Sequence, residues 1–571
     1  MSDVSSGISV ADVALARKCI FSPESLLTLP AAKAALLDVN HDGVVSLEDL
    51  NGLGRSHSQW KTLFVAPQRL ANVPADQPVG CYQNPFILTE NTVASAGGFY
   101  DQIRKITFTS NHGLGWNAEI VFLPGTYTKI QLLFRNADTD EAPNPGSSGK
   151  PIKAVIDRFH PVRILLRSLD PLATDPDKTA RFFGGSEGQT PADVLKYGPI
   201  LRSKSDGVNG NYPQFLLIEG DGRVANKRKI SNLVVSGLNI SGYRCGIDLL
   251  YATHIVLKNN RLDTIGSART PAEQAAPEKN AAVPYGTSAI GMARLCENIL
   301  IKHNRISTTW NRCNSPAPTS DGDPGLMHPF YIIDASDIVY LDNKIEDSSG
   351  ALLKVVDLAD LNPDGTIKGS PMAHRRQVLI NNTFLESTSR LAGIYPVEFN
   401  TISMIHDNSA QVRFWPDKKI YTQPTPPAPN LIFLGNTWET RIDMAFLRRE
   451  SVTTSTNGRS HLPSRFPNWF FEGNTWIGFP NGPGIVERQR GTPMGVKHDI
   501  TQEVTTDPNE TIRFQSLPRP YAYEQCLSRL RQLVLGTPDR TATHSSGNAR
   551  LDQALFDMVE TREIPRVSTD D

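Results

Sequence analysis

IVYLDNKIED, residues 338–347, carries the phrase that decides the fold: an apolar-rich run, an asparagine, a single spacer, an apolar residue and a polar break. The same phrase recurs as IVLKNNRLD (255–263), ILIKHNRIS (299–307), VLINNTFLE (378–386), LIFLGNTWE (431–439) and WFFEGNTWI (469–477). The shared asparagines are Asn260, Asn304, Asn343, Asn382, Asn436 and Asn474, at spacings of 44, 39, 39, 54 and 38 residues. A near-constant period that tolerates insertions marks stacked repeats, because each unit buries its apolar face only on its neighbours. Two short strand-like runs fall in most periods, so one period reads as two rungs. Asparagine suits the turn between such strands, since it tolerates the left-handed backbone region better than most residues. Asparagines on successive rungs can also stack and share amide hydrogen bonds. Six unrelated turns would not repeat their apolar flanks together with the Asn.

Bulk properties agree with one elongated body. The 571 residues exceed what a single compact core holds, and a solenoid escapes that limit by stacking. Lysine plus arginine (58) nearly equals aspartate plus glutamate (59), so no long-range field favours nucleic acid or an anionic membrane. No run approaches the roughly 18 apolar residues of a membrane span, and MSDVSSGISVADVALARKC lacks the basic start and apolar middle of an export signal. Cys19, Cys81, Cys245, Cys296, Cys313 and Cys526 show no CxxC spacing, which argues against a zinc or redox motif. Cys245 and Cys296 sit in strand-like runs and read as core. Cys296 and Cys313 are near enough in sequence to pair, with connectivity left open.

Three regions follow along the chain. Residues 1–70 read as a small helical N-terminal region, with SPESLL offering a capping serine. Residues 75–485 read as the solenoid: irregular first rungs in AEIVFLPGTYTKIQLLF, PIKAVID, PVRILLRSL and PQFLLIEG, then regular rungs from about 225 to 480. Long loops interrupt these at 266–284, 312–326, 358–374 and 415–429, and insertions at solenoid turns usually build a binding face. Residues 486–571 form a tail with helical apolar spacing in EQCLSRLRQLVL and NARLDQALFDMVE.

With VFLPGTYTKIQLLF followed by GKPIKAV, residues 110–480 resemble right-handed parallel β-helix proteins of the pectate-lyase superfamily. In that family a PGTY turn precedes the first rungs and a PI strand follows. PYAYEQCLSRLRQLV and NARLDQALFDMV are similar to the tail that crosses back over the coil in pectate lyases. The resemblance implies an all-β, right-handed parallel β-helix with a small helical N-terminal cap and a C-terminal helical tail. The pectate-lyase wall of aspartates, its WIDH strand and its RxPxxR strand are missing, so pectate cleavage itself is not supported.

The sharpest local motif is DVNHDGVVSLED, residues 38–49. Oxygen donors at Asp38, Asn40 and Asp42, a glycine at the sixth place, the Val44 carbonyl, Ser46 and Asp49 match the calcium loop of an EF-hand. It resembles one half of a dockerin, without a second copy and with Asp in place of the usual final Glu. Calcium (Ca2+) is the expected cofactor, with a structural role in the N-terminal region.

Chemistry on a solenoid comes from side chains on adjacent rungs. GLMHPFYIIDASDIVYLDNKIEDSSGALLKVVDL offers His328, Tyr331, Asp334, Lys354 and Asp357, and the following text adds Arg375 and Arg376. This HxxY and SGALLKV text resembles the middle rungs of polysaccharide-acting β-helices. In β-elimination on a uronic acid, Lys354, His328 or Tyr331 would remove the proton beside the carboxylate while Arg375 or calcium neutralises it. In hydrolysis, Asp334 and Asp357 would flank the glycosidic bond. Trp310 and Arg312, at the mouth of TWNRCNSPAPTSDGDPG, and Arg376 are candidates for substrate binding. Trp438 and Trp476 follow the repeated Asn and read as filling the coil.

The expectation is therefore a protein that binds and cleaves an acidic extracellular or cell-surface polysaccharide, with lyase chemistry ahead of hydrolysis or epimerisation. The alternative is a non-enzymatic structural or receptor-binding virion protein of tailspike type, which needs no export signal. A secreted enzyme would be a monomer, a virion spike a trimer.

Overall fold

A computed structural model describes residues 60–107 with short gaps, 117–135, 163–184, 214–220, 230–268 with a short gap, 287–293, 296–312, 327–360 with short gaps, 377–385, 397–414 with a short gap, 431–439, 447–451, 469–477, 484–489, 497–499, 512–515, and four residues between 525 and 530. The expected N-terminal helices and calcium loop, and most of the four long loops, lie outside these.

The chain is a parallel β-helix. Each coil contributes one strand to each of three sheets, as in Glu297–Lys302, Arg305–Arg312 and Met327–Ile333, followed one coil on by Ser336–Leu341, Lys344–Ser348 and Leu353–Asp360. Among the described residues the sheets hold 12, 9 and 11 strands, each paired in parallel with the equivalent strand of the next coil. Two local antiparallel pairs depart from this, Val397–Asp407 with Ala410–Phe414 and Gly484–Gln489 with Lys497–Asp499. One Asn period is therefore a single three-stranded coil rather than two rungs. The Asn phrase spans only the first two strands, and the third follows an insertion of variable length.

The asparagines form a continuous internal ladder. The Nδ2 of Asn260 donates to Asn304 Oδ1 at 3.0 Å, Asn304 to Asn343 at 3.0 Å, Asn343 to Asn382 at 2.9 Å, Asn382 to Asn436 at 2.9 Å and Asn436 to Asn474 at 3.0 Å. The second amide proton of each reaches a carbonyl of the preceding coil, as from Asn343 to Ile301 at 2.9 Å. The left-handed residue is not the ladder Asn but the one before it: Asn259, His303, Asp342 and Asn381 have φ of 56, 54, 52 and 54°, and Gly435 and Gly473 take the position later. That kink turns the chain from the first sheet to the second and drops the next side chain into the interior.

The core is built of rows of like residues stacked along the coil. On the second sheet the inward row runs Phe182, Ile240, Leu262, Ile306, Ile345, Phe384 and Trp438 in register. Trp438 is buried and lies flat on Phe384, centroids 3.9 Å apart and planes 4° from parallel, so it fills the coil. Cys245 and Cys296 are buried as expected, and Cys296 Sγ donates to Leu249 O at 3.3 Å. Its suggested partner Cys313 lies outside the described residues.

Helical segments cover the N-terminal end of the apolar stack and part of the outer face of the first sheet. The helix Phe99–Thr107 places Phe99, Tyr100 and Ile103 against the first coils, where Phe99 meets Phe86 and Phe122. Helical Cys526 and Leu530 are buried on the outer face of the first sheet against Leu341, Val378, Ile380, Ile432 and Leu434. The C-terminal segment thus lies back over the coil. Trp60–Ala66 pairs with Asn117–Phe122, and Ile512–Gln515 with Trp469–Glu472, so the first sheet reaches beyond 75 and 485 at its two ends. No helix among the described residues is long and apolar enough to cross a membrane.

Candidate functional site

Strand alternation sorts the third sheet into inward and outward rows. Ile247, Ile290, Phe330 and Leu353 point into the core and are fully buried. The neighbouring outward row runs Leu217, Asp248, Gly291, Tyr331 and Lys354, with Glu398 and Arg448 at its next two register positions. Adjacent strands of a sheet stand about 4.8 Å apart. A row that carries Asp248, Tyr331 and Lys354 thus follows the coil axis across consecutive turns.

Tyr331 and Lys354, 23 positions apart in sequence, are direct register partners in this row, and both are half-buried. The Tyr331 ring stacks on the His328 ring, centroids 5.5 Å apart and 21° from parallel. His328 is itself only 1% exposed, and its Nδ1 donates to Ala351 O at 3.0 Å. A buried ring held this way braces the phenol from behind.

Asp248 was not singled out by sequence reasoning. Its half-buried carboxylate has no hydrogen-bond or ion-pair partner among the described residues. Part of the side chain meets solvent, yet protein crowds the carboxyl, and desolvation pushes its pKa from 3.8 to about 7. Gly291 explains its posture: a Cβ there would sit 2.3 Å from Asp248 Oδ1 and 2.7 Å from Ser288 Oγ. The acid therefore occupies the space a side chain at 291 would fill, one strand closer to Tyr331 than its own backbone. The signal was a lone Asp inside the apolar strand CGIDLL, visible only once the register was known.

The remaining candidates are dispersed. Trp310 and Arg312 belong to Arg305–Arg312 of the second sheet, paired with Gly266 and Ala268 rather than beside Lys354, and their side chains are outside the described set. Asp357 is in Leu353–Asp360, in register with Thr401, again without a described side chain, and Asp334 lies outside the described residues. Arg375 and Arg376 are also outside, immediately before the first-sheet strand Gln377–Ile380. The calcium ligands Asp38, Asn40, Asp42, Val44, Ser46 and Asp49 lie outside too. No group of three His, Cys, Asp or Glu among the described residues is placed to hold a metal.

No protein-family model and no curated sequence matches the chain. Among solved structures it is similar to an alginate lyase from Paenibacillus sp. str. FPU-7, with 12% identity and a TM-score of 0.29 over 63% of this chain and 92% of that one. It is also similar to a rhamnogalacturonan lyase, with 10% identity and a TM-score of 0.29 over 72% and 87% of the two chains. A third similarity is to ORF18 of Geobacillus virus E2, with 9% identity and a TM-score of 0.27 over 69% and 59%.

Chemically, the row combines a cation, a phenol and an unbonded carboxyl on one face. Lys354 can meet a ligand anion, while Tyr331, whose hydroxyl has no hydrogen-bond partner among the described residues, can exchange a proton.

Proposed function

We propose that the chain binds an acidic extracellular or cell-surface polysaccharide along the outward row of the third sheet and cleaves it by β-elimination. The observation that carries this reading is the pairing of Tyr331 with Lys354 in a row that runs along the coil. A linear glycan laid over such a row meets a new side chain about every 4.8 Å, close to the advance of one sugar. The Lys354 ammonium meets the uronate carboxylate and makes the adjacent C–H more acidic, and Tyr331, as the phenolate, takes that proton.

Elimination is favoured over hydrolysis by the spacing of carboxylates. Hydrolysis needs two of them roughly 5–10 Å apart across the scissile bond. Within the row the Asp248 carboxylate, lying over the Gly291 strand, is three strands from the Glu398 position, about 14 Å at the usual strand spacing.

Calorimetric titration with uronate oligosaccharides tests the assignment. Lys354→Ala should weaken binding about tenfold or more, and Tyr331→Phe should retain binding while losing turnover by about a hundredfold. Wild-type binding and turnover in both variants would remove the row from consideration.

A further inference from the structure

We infer that Asp248 is a further catalytic residue of this row, the acid that protonates the leaving glycosidic oxygen. The inference rests on the elimination reading above and adds the second proton transfer that reaction needs.

Three observations place the acid. First, the register sets Asp248, Gly291 and Tyr331 on consecutive strands of one outward row. Second, the absence of a side chain at Gly291 lets the Asp248 carboxylate lie over that strand, bringing it within one strand spacing of the Tyr331 position. Third, nothing among the described residues binds the carboxyl. The strand on one side places Leu217 opposite it with Glu219 two residues on, the strand on the other side places Gly291 and Ser288, and beyond these stand Tyr331 and His328. A structural aspartate on a sheet face ordinarily finds a donor. With its pKa pushed up to about 7 by desolvation alone, this one keeps a proton up to about neutral pH.

The step balances. Tyr331, entering as the phenolate, takes the proton from C5, the C5–H electron pair forms the C4=C5 double bond, the C4–O bond breaks, and the leaving oxygen takes the Asp248 proton. Water returns a proton to Asp248 and removes one from Tyr331. Because acid and base reach the sugar from the same sheet face, the C5–H and C4–O bonds must lie on the same side of the ring. Mannuronate-type residues satisfy this and galacturonate-type residues do not.

The test uses the full chain, as wild type, Asp248→Asn and Gly291→Ala, on polymannuronate and polygalacturonate, following the new double bond by ultraviolet absorbance from about pH 5 to about pH 9. The wild type should cleave polymannuronate, with kcat falling as the pH rises through about 7. Asp248→Asn should lose about a hundredfold or more in kcat with KM changed by no more than about twofold, and the fall above neutrality should vanish. Gly291→Ala should lose activity too, because its methyl displaces the carboxylate. Full kcat and an unchanged pH profile in Asp248→Asn, with wild-type cleavage intact, would overturn the inference and leave the elimination reading standing. Cleavage of polygalacturonate in place of polymannuronate would overturn the same-face arrangement. Silence of the wild type on both polymers would overturn the elimination reading and this inference with it.

Discussion

The Oδ1 of Asn382 accepts two hydrogen bonds from Asn343, one from its main-chain N–H and one from its Nδ2, both at 2.9 Å. The same double acceptance joins Asn304 to Asn343 and Asn382 to Asn436, so each carboxamide links coils on both sides of it. Asn343→Ala strands the Asn304 donors and the Ile301 carbonyl in the core. At about 1–3 kcal/mol for each buried group left without a partner, a loss of about 3 kcal/mol is expected. Urea unfolding checks it, and a loss below about 1 kcal/mol would mean that the ladder is ornament to the apolar stack.

Asp248 gives stability a pH dependence with a defined sign. Its folded-state pKa of about 7 stands above the ordinary 3.8, so the native state holds the proton more tightly. Stability contributed by this group is full below about pH 4 and is lost as the pH rises to about 7. Relative to wild type, Asp248→Asn should therefore gain melting temperature between about pH 4 and pH 8. A difference that does not change with pH would contradict a desolvated acid.

Burial pushes the Cys526 thiol up to about 12, with the Asp342 and Glu472 charges acting in the same direction. Native protein should hold Cys526 unreactive towards a thiol reagent at about pH 8, while Leu530→Asp, which breaks the apolar contact one helical turn away, should expose it. Rapid labelling of Cys526 in the wild type would mean that the C-terminal helix does not stay on the first sheet.

The loop Asp38 to Asp49 is proposed to hold calcium. Replacing Asp38 and Asp42 by alanine should lower the melting temperature when calcium is present and leave it unchanged in chelator. An equal shift in both conditions would argue for an acidic turn without a metal.

How much of this was legible from sequence follows from distance along the chain. The Asn phrase is local, so its period and its amide stack could be read from nine-residue windows. The third strand of each coil lacks the repeated phrase and follows an insertion, as TSAIGMA and MHPFYII do, so three strands per period could not be counted even though MHPFYII reads as rung text. Reading the period as two rungs came from that omission. The left-handed position was displaced by one, since Asn259, His303, Asp342 and Asn381 vary in type while the interior Asn does not. Tyr331 and Lys354 could be named as chemistry-bearing residues, but their adjacency depends on the coil length between them. Asp248 and Gly291 are 43 positions apart, and only the register makes the glycine a place for the acid.

Cleavage by β-elimination is read from the ultraviolet absorbance of the unsaturated-uronate product while purified full-length protein is incubated, with calcium, against a panel of acidic polysaccharides. We expect a steady rise with at least one of them, abolished by Lys354→Ala. A flat trace throughout, together with a flat reducing-end assay, would contradict it and favour a coil that binds glycans without cutting them.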